Sequence, residues 1–353
     1  MVARVDPPRA GEGDDAKRGG GAPPRRRSSA EPPPPSASGG RSPSPSGGGI
    51  HRTLAVTGGT GFVGSHLLRA ARAAGHEVRA LTRGWRPPEE KIDWVDGALD
   101  RADALAKLCD GADAIVHLAG LINAPSRAAF EAVNVGGTAN LIDAVRAAGV
   151  RRFVHISSLA AREPELSDYG RSKAKAERLV AASALDWTIV RPPAVYGPGD
   201  RETFELFKMA RRGIVALPPP GRFSVLHVED LCRLILAVLD EPDTHAETYE
   251  PDDGAENGWD HRHFARTLGR VFGKRATTLS MPRLLLRGAS RIERLVRRGE
   301  AKLTADRVRY FCHPDWVVTA RHRPPAALWR PQIRTPTGLK RTAEWYREQG
   351  WLK

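Results

Sequence analysis

From Thr53 onward, short apolar runs alternate with stretches whose apolar residues recur every three or four positions. The runs at 53–57, 77–81, 92–95, 114–118, 153–156 and 187–190 predict six buried strands. The longer-period stretches predict helices over 65–74, around 130–148, and from about 169 to 183. Strands alternating with helices imply βαβ units and a parallel sheet. Right-handed crossovers then make this an α/β protein with a Rossmann-type, doubly wound parallel sheet, with ligands at the strand C-termini. Beyond Pro192 the regularity weakens, which suits a smaller substrate-covering part. The expected organisation is a tail over 1–50, the wound sheet over 51–240 and the smaller, basic part over 241–353.

The first 50 residues carry 10 Pro, 10 Gly and 7 Ser, too little apolar material to offset chain entropy, so this tail is expected to be disordered. The longest apolar run covers 234–239, far short of the ~20 residues of a spanning helix. No secretory signal is evident after the early arginines, and Cys109, Cys232 and Cys312 are scattered and odd in number. These features suit a reducing, cytoplasmic setting and exclude a disulfide scaffold or cysteine-rich zinc site. No metal site is expected: His261 and His263 have no third ligand placed by spacing.

The formal net charge of +14 is unevenly spread. Residues 51–281 balance at 30 basic and 30 acidic, whereas 282–353 carry 17 basic and 6 acidic. Residues 282–298 read as a helix with Arg283, Arg287, Arg291, Arg294 and Arg298 in one stripe. Trp316, Trp329, Trp345 and Trp351 lie in the same region. Two readings stand side by side. Cations and amphipathic aromatics suit an anionic membrane surface, on the cytoplasmic face. A docked helix with a solvated arginine face and buried tryptophans is the plainer one. No nucleic-acid recognition motif accompanies the charge.

The first strand runs into Gly58-x-x-Gly61-x-x-Gly64 and then a helix. Gly58 permits a tight turn, Gly61 lets the backbone approach a pyrophosphate, and Gly64 lets the helix lie close to the strand. The phosphates meet unpaired N–H groups at the helix start. At the end of the second strand, where an acid would hold a ribose 2′-hydroxyl, the chain has Arg83, which suits a 2′-phosphate. NADP(H) is therefore favoured over NAD(H).

Tyr169 and Lys173 are four apart at a helix start and share a face. Ser157 and Ser158 end the fifth strand, where an open sheet presents its reactive residues. An ammonium beside a phenol favours the phenolate, and a Ser hydroxyl can hold a carbonyl oxygen for in-line attack. Carbonyl reduction needs such a proton donor opposite a hydride donor.

With these residues in place, the chain resembles an extended short-chain dehydrogenase/reductase. TGGTGFVG (57–64), HLAG (117–120), NVGGT (134–138), the Ser157-Ser158 strand end, Tyr169 with Lys173, RPPAVYGP (191–198) and HVED (227–230) carry the likeness over about 52–240. The resemblance implies a catalytic set of Ser158, Tyr169 and Lys173, with Asn134 supporting a proton-relay water. Counting along the strand from Phe153 selects Ser158 over Ser157. It further implies that Thr60, Phe62, Val63, Leu118, Ala119, Gly120, Pro192 and Val195 join Gly58, Gly61, Gly64, Arg83, Tyr169 and Lys173 around the cofactor. A homodimer is the usual family arrangement. The chain departs from typical members in the 11-residue Ser158–Tyr169 spacing and in Ala98, where an acid often reads the adenine. The short Ser158–Tyr169 loop and the Arg83 strand end resemble an atypical branch that includes an accessory subunit of respiratory complex I and bacterial reductases of 3-keto ceramides, to whose tail HPDW (313–316) and GLKRTAEWY (338–346) are similar. The expected activity is NAD(P)H-dependent reduction of a keto group on a hydrophobic, lipid-like substrate. The competing readings are a nucleotide-sugar epimerase or dehydratase and a non-catalytic cofactor-binding subunit.

Overall fold

The computed structural model describes residues 51–288 and 304–352. The tail over 1–50 and the stripe positions Arg291, Arg294 and Arg298 lie outside the described residues. In chain order the central sheet contains β1 (Thr53–Thr57), β2 (Glu77–Thr82), β3 (Ile92–Asp96), β4 (Ala114–His117), β5 (Arg152–Ile156) and β6 (Asp186–Val190). A seventh strand, Glu247–Tyr249, comes from beyond residue 240. Side by side they run seventh strand, β6, β5, β4, β1, β2, β3, and every pairing is parallel. The order reverses direction between β1 and β4, which opens a crevice at their C-terminal ends. All six strands expected from the sequence form within one residue of their expected limits.

Alternate residues of the inner strands feed two separate cores, as a period of two demands. Leu54, Val56, Val116 and Val154 pack on one face against Leu67 and Leu68 of α1 (Phe62–Ala73) and the helix Val228–Asp240. Ala55, Ile115 and Phe153 pack on the other against α2 (Ala102–Cys109) and its neighbours. Helices on both faces make the sheet doubly wound. α2 carries only a short amphipathic stretch and escaped the sequence reading. The expected helix over 130–148 is a composite of α3 (Arg127–Phe130), a π-helical stretch Glu131–Gly136 and α4 (Gly137–Ala147). α5 (Asp168–Ala181) begins with Ser167, whose side chain accepts the Gly170 N–H.

A third core joins Tyr196, Phe207, Val215 and Val225 to Phe264, Leu268, Leu339 and Tyr346. The last helix, Thr335–Glu348, is tied down by fully buried Asp230, whose carboxylate accepts the N–H groups of Gln332 and Ile333. Trp329 adds a hydrogen bond from its indole N–H to the Asp230 carbonyl. Trp316 and Trp329 are buried, and Trp345 and Trp351 pack against the third core. Trp316 and Trp329 thus take the buried arrangement, and Trp345 and Trp351 are half-buried. Among the described residues, no helix is long and apolar enough to cross a membrane.

Candidate active site

The glycine loop closes at the β1–α1 junction. Gly58 has φ +76°, a region that side chains rarely adopt, and a Cβ there would meet the Ala119 nitrogen at 2.6 Å. A Cβ at Gly64 would meet the Gly58 carbonyl oxygen at 2.1 Å. The loop is thus a backbone-only cradle: a side chain at either position would push it open. Gly61 caps α1 without a side-chain hydrogen bond, so the first N–H groups of the helix are open to an anion. Thr60 and Gly61 are exposed, and Phe62 and Val63 are half-buried behind them. Leu118, Ala119 and Gly120 leave the end of β4 opposite, which makes this cradle a fit for a dinucleotide pyrophosphate. Arg83 follows β2 directly and is exposed, with no ion pair or hydrogen bond to the described residues. Val195 lies in the short strand Ala194–Tyr196, and the Pro192 carbonyl accepts the Leu159 N–H.

Ser158, Tyr169 and Lys173 come together at the C-terminal end of β5. Ser158 caps a 3-10 turn, Leu159–Arg162, and its hydroxyl accepts the Ala160 N–H at 3.2 Å. Burial pushes the Tyr169 phenol above its ordinary pKa, and a hydrogen bond with the Ser158 hydroxyl pulls against that shift. Lys173 Nζ donates to the Ile156 carbonyl at 2.7 Å. Burial pulls the Lys173 ammonium down to about 8, opposed by the Glu177 carboxylate. A side chain at Gly120 would come within 3.1 Å of Asn134 Oδ1 and 3.8 Å of Lys173 Nζ, so the β4 exit, Asn134 and Lys173 are neighbours. Ser157 is buried with an unpartnered hydroxyl.

Asn134 sits in the π-helical stretch and is almost fully buried. Its Oδ1 accepts the Leu121 N–H at 2.7 Å, and its Nδ2 donates to the Leu121 carbonyl at 3.0 Å and to Ser172 Oγ at 2.9 Å. Ser172 in turn donates to the Tyr169 carbonyl at 2.8 Å. Asn134 therefore splints the loop beyond β4 to the first turn of α5. His117 fixes the same loop from the other side. The Ala119 N–H reaches Thr57 Oγ1, which lies 2.6 Å from His117 Nδ1; His117 Nε2 lies 2.9 Å from Thr138 Oγ1, and Thr138 donates to the Asn134 carbonyl. Because Thr138 spends its proton on that carbonyl, His117 carries its own proton on Nε2 and accepts from Thr57 at Nδ1. Burial, reinforced by the Lys173 charge, pulls the His117 pKa down to about 3, so the ring is neutral.

Three participants had no sequence signal, or a weak one. Ser172 lies three residues after Tyr169, and helical spacing alone could have flagged it. Thr138 stands inside a motif whose role is visible only once the π-helical stretch is seen. Tyr310, 141 positions from Tyr169, interacts with it electrostatically and packs on Trp316 with ring centroids 4.6 Å apart. Among the described residues no group of three metal-ligating side chains occurs. His261 Nδ1 instead faces the Pro219 carbonyl at 3.1 Å, and His263 packs on Trp259.

Residues 54–250 match the NAD dependent epimerase/dehydratase family. The chain is 36% identical over 315 residues to ceramide reductase of Caulobacter vibrioides, covering 85% of this chain and 96% of that protein. It is 30% identical over 265 residues to 4-hydroxy-2-methyl-3-oxo-4-farnesyl-3,4-dihydroquinoline-1-oxide ketoreductase of Stigmatella aurantiaca, covering 67% of this chain and 78% of that one. The solved structure of gox2253 superposes with a TM-score of 0.70 at 23% identity, covering 86% of this chain and 99% of that chain, a likeness of fold.

Proposed function

Since the chain belongs to the NAD dependent epimerase/dehydratase family and is an NAD(P)-dependent oxidoreductase, we propose that it uses NADPH to reduce a keto group on a hydrophobic lipid of the ceramide or sphingoid type. The observation that carries this reading is the meeting of the Tyr169 phenol, the Ser158 hydroxyl and the Lys173 ammonium beside the β4 exit that backs the glycine cradle. Similarity to a ceramide reductase along nearly the whole of that protein's length supports the substrate class. Arg83, exposed where an acid would otherwise read the ribose, supports NADPH.

When bound, the reduced nicotinamide supplies hydride to the carbonyl carbon. The residues of this chain manage the oxygen. Ser158 donates a hydrogen bond to it, holding the carbonyl in line. Tyr169, kept protonated by burial, delivers its proton as negative charge develops there. Lys173 then stabilises the tyrosinate until solvent reprotonates it. Gly58, Thr60, Gly61, Phe62, Val63 and Gly64 would cradle the pyrophosphate. Leu118, Ala119, Gly120, Pro192 and Val195 would flank the nicotinamide half. Asn134 is a positioning residue, fastening the loop that carries Leu121. A nucleotide-sugar epimerase and a non-catalytic subunit are less well supported: the former by likenesses of fold and a relative 26% identical over 235 residues, the latter against an intact proton-transfer set.

The test is turnover of a panel of keto lipids and sugar nucleotides with NADPH and NADH. Tyr169→Phe is expected to lower keto-lipid turnover by more than tenfold while NADPH affinity, measured by fluorescence titration, stays unchanged. Near-normal turnover in that variant would remove Tyr169 from the mechanism, and turnover of sugar nucleotides alone would replace the substrate.

A further inference from the structure

We propose that the face formed by the strands Ile214–Leu217 and Thr277–Ser280 and by residues 283–288 docks this enzyme on an anionic lipid bilayer. The two strands pair in parallel, with Ile214 opposite Thr277 and Ala216 opposite Leu279, so these four side chains share one side of a two-stranded sheet. That side is uncovered: Ile214 and Leu279 are each 54% exposed. The Met281 N–H bonds the Leu217 carbonyl, keeping the chain against the sheet until the turn of helix that presents Leu284, 77% exposed, and Leu285, 61% exposed.

The segments that carry these aliphatic side chains hold charge of one sign. No acidic residue occurs between 206 and 228 or between 261 and 288. Arg211, Arg212, Lys274, Arg275 and Arg283 are exposed and make no ion pair among the described residues. The Lys274 stem lies 3.6 Å from where a Cβ at Gly213 would stand, so the cations of the two segments are adjacent. Aliphatic side chains ringed by guanidinium and ammonium groups match the acyl boundary and anionic headgroups of a bilayer. A nucleic-acid backbone would engage the cations alone, whereas the exposed aliphatic side chains among them favour a bilayer.

The face leads toward the helix Ala305–Phe311, which lies against the segment after Ser158: Arg309 donates to the Leu166 carbonyl and Tyr310 packs with Leu159 and Leu166. Arg283 and Arg287 lie close enough to Cys312 to act on its thiol electrostatically. Cys312 ends the helix Ala305–Phe311, which turns Tyr310 toward Tyr169 and leaves Phe311 exposed. A bilayer held here would stand near the helix that carries Tyr310, on the side from which a lipid substrate would be delivered. That consequence rests on the keto-lipid reading, whereas the docking itself does not.

The experiment is flotation of the full chain with vesicles of phosphatidylcholine, alone and mixed with phosphatidylglycerol, at low and high salt. Binding is expected only to the phosphatidylglycerol vesicles and is expected to weaken with salt. Arg275→Gln should lower the partition coefficient about fivefold, in line with the usual contribution of one surface cation. Leu284→Ser combined with Leu285→Ser should lower it at least tenfold. Turnover of a short, water-soluble ketone and the melting temperature should be unchanged in both variants. Equal binding by wild type and variants, or no binding, overturns the proposal. So does a change of oligomeric state in the variants without a change in flotation, or tighter retention on RNA than on the anionic vesicles. Because flotation uses no substrate, its failure is distinct from failure of the reductase reading.

Discussion

Lys173 is buried yet must be charged to act, and its pKa near 8 makes its protonation a physiological variable. Burial raises the Tyr169 phenol, so through neutral pH both groups hold their protons, as reduction requires. As pH rises through about 8 the ammonium is lost and the tyrosinate loses its partner. The rate of reduction at saturating substrate is therefore expected to fall above about 8. A pH–rate profile checks this, and Lys173→Met should lose that limb along with most of the rate. Arg83 offers a second single-residue test. If it meets a 2′-phosphate, Arg83→Ala should raise KM for NADPH roughly tenfold or more, the usual size of a charge-assisted contact, and leave KM for NADH unchanged. Steady-state kinetics with the two cofactors reads this directly.

The π-helical stretch Glu131–Gly136 is the element on which the site turns. A regular helix there would rotate Asn134 away from the loop it fastens. Asn134→Leu would leave the Leu121 N–H and C=O unpaired, at a cost of about 1–3 kcal/mol. It is expected to lower the melting temperature and to reduce turnover at least tenfold, whereas Asn134→Asp, which keeps the acceptor for the Leu121 N–H, should recover part of both. The expected helix over 130–148 placed this element without revealing its extra residue per turn. Helical periodicity survives a single widened turn, and the partners that hold the Asn134 side chain, Leu121 and Ser172, lie on separate segments. Strands were easier: β1, β4 and β5 are nearly all buried, so a short apolar run marks each regardless of its neighbours.

Across the whole molecule, several histidines are buried as neutral rings. Burial, reinforced by the Lys173 charge, holds His155 well below its usual range, and neither of its ring nitrogens has a partner. Burial and the Arg341 charge pull His227 down to about 4. His117 lies near 3. In the unfolded chain each would titrate near ~6.5. Below that value the unfolded state binds more protons, so stability falls as pH drops from about 6.5 toward 4. Each ring should contribute about 1.4 kcal/mol per pH unit in that window. Urea midpoints between pH 7 and pH 5 check the sign. His155→Leu should flatten the slope by about one proton and raise stability at neutral pH, since it removes two unsatisfied polar atoms.

The wound sheet, the glycine loop and the order of Ser158, Tyr169 and Lys173 could be read from the chain because each rests on local rules. Alternation writes strands, a left-handed turn demands Gly58, and a spacing of four puts Tyr169 and Lys173 on one helical face. Other features depended on contacts between residues far apart in sequence. The seventh strand is three residues long and is defined by its pairing with β6. Tyr310 nears the site because its helix lies against residues 159–166, and the tautomer of His117 follows from Thr57 and Thr138 on either side. The four C-terminal tryptophans could have faced a membrane or a core by composition alone; packing turned them inward and left Ile214, Leu279, Leu284 and Leu285 outside. A residue's type states what it can bind, but which surface it reaches is settled by the chain that closes over it.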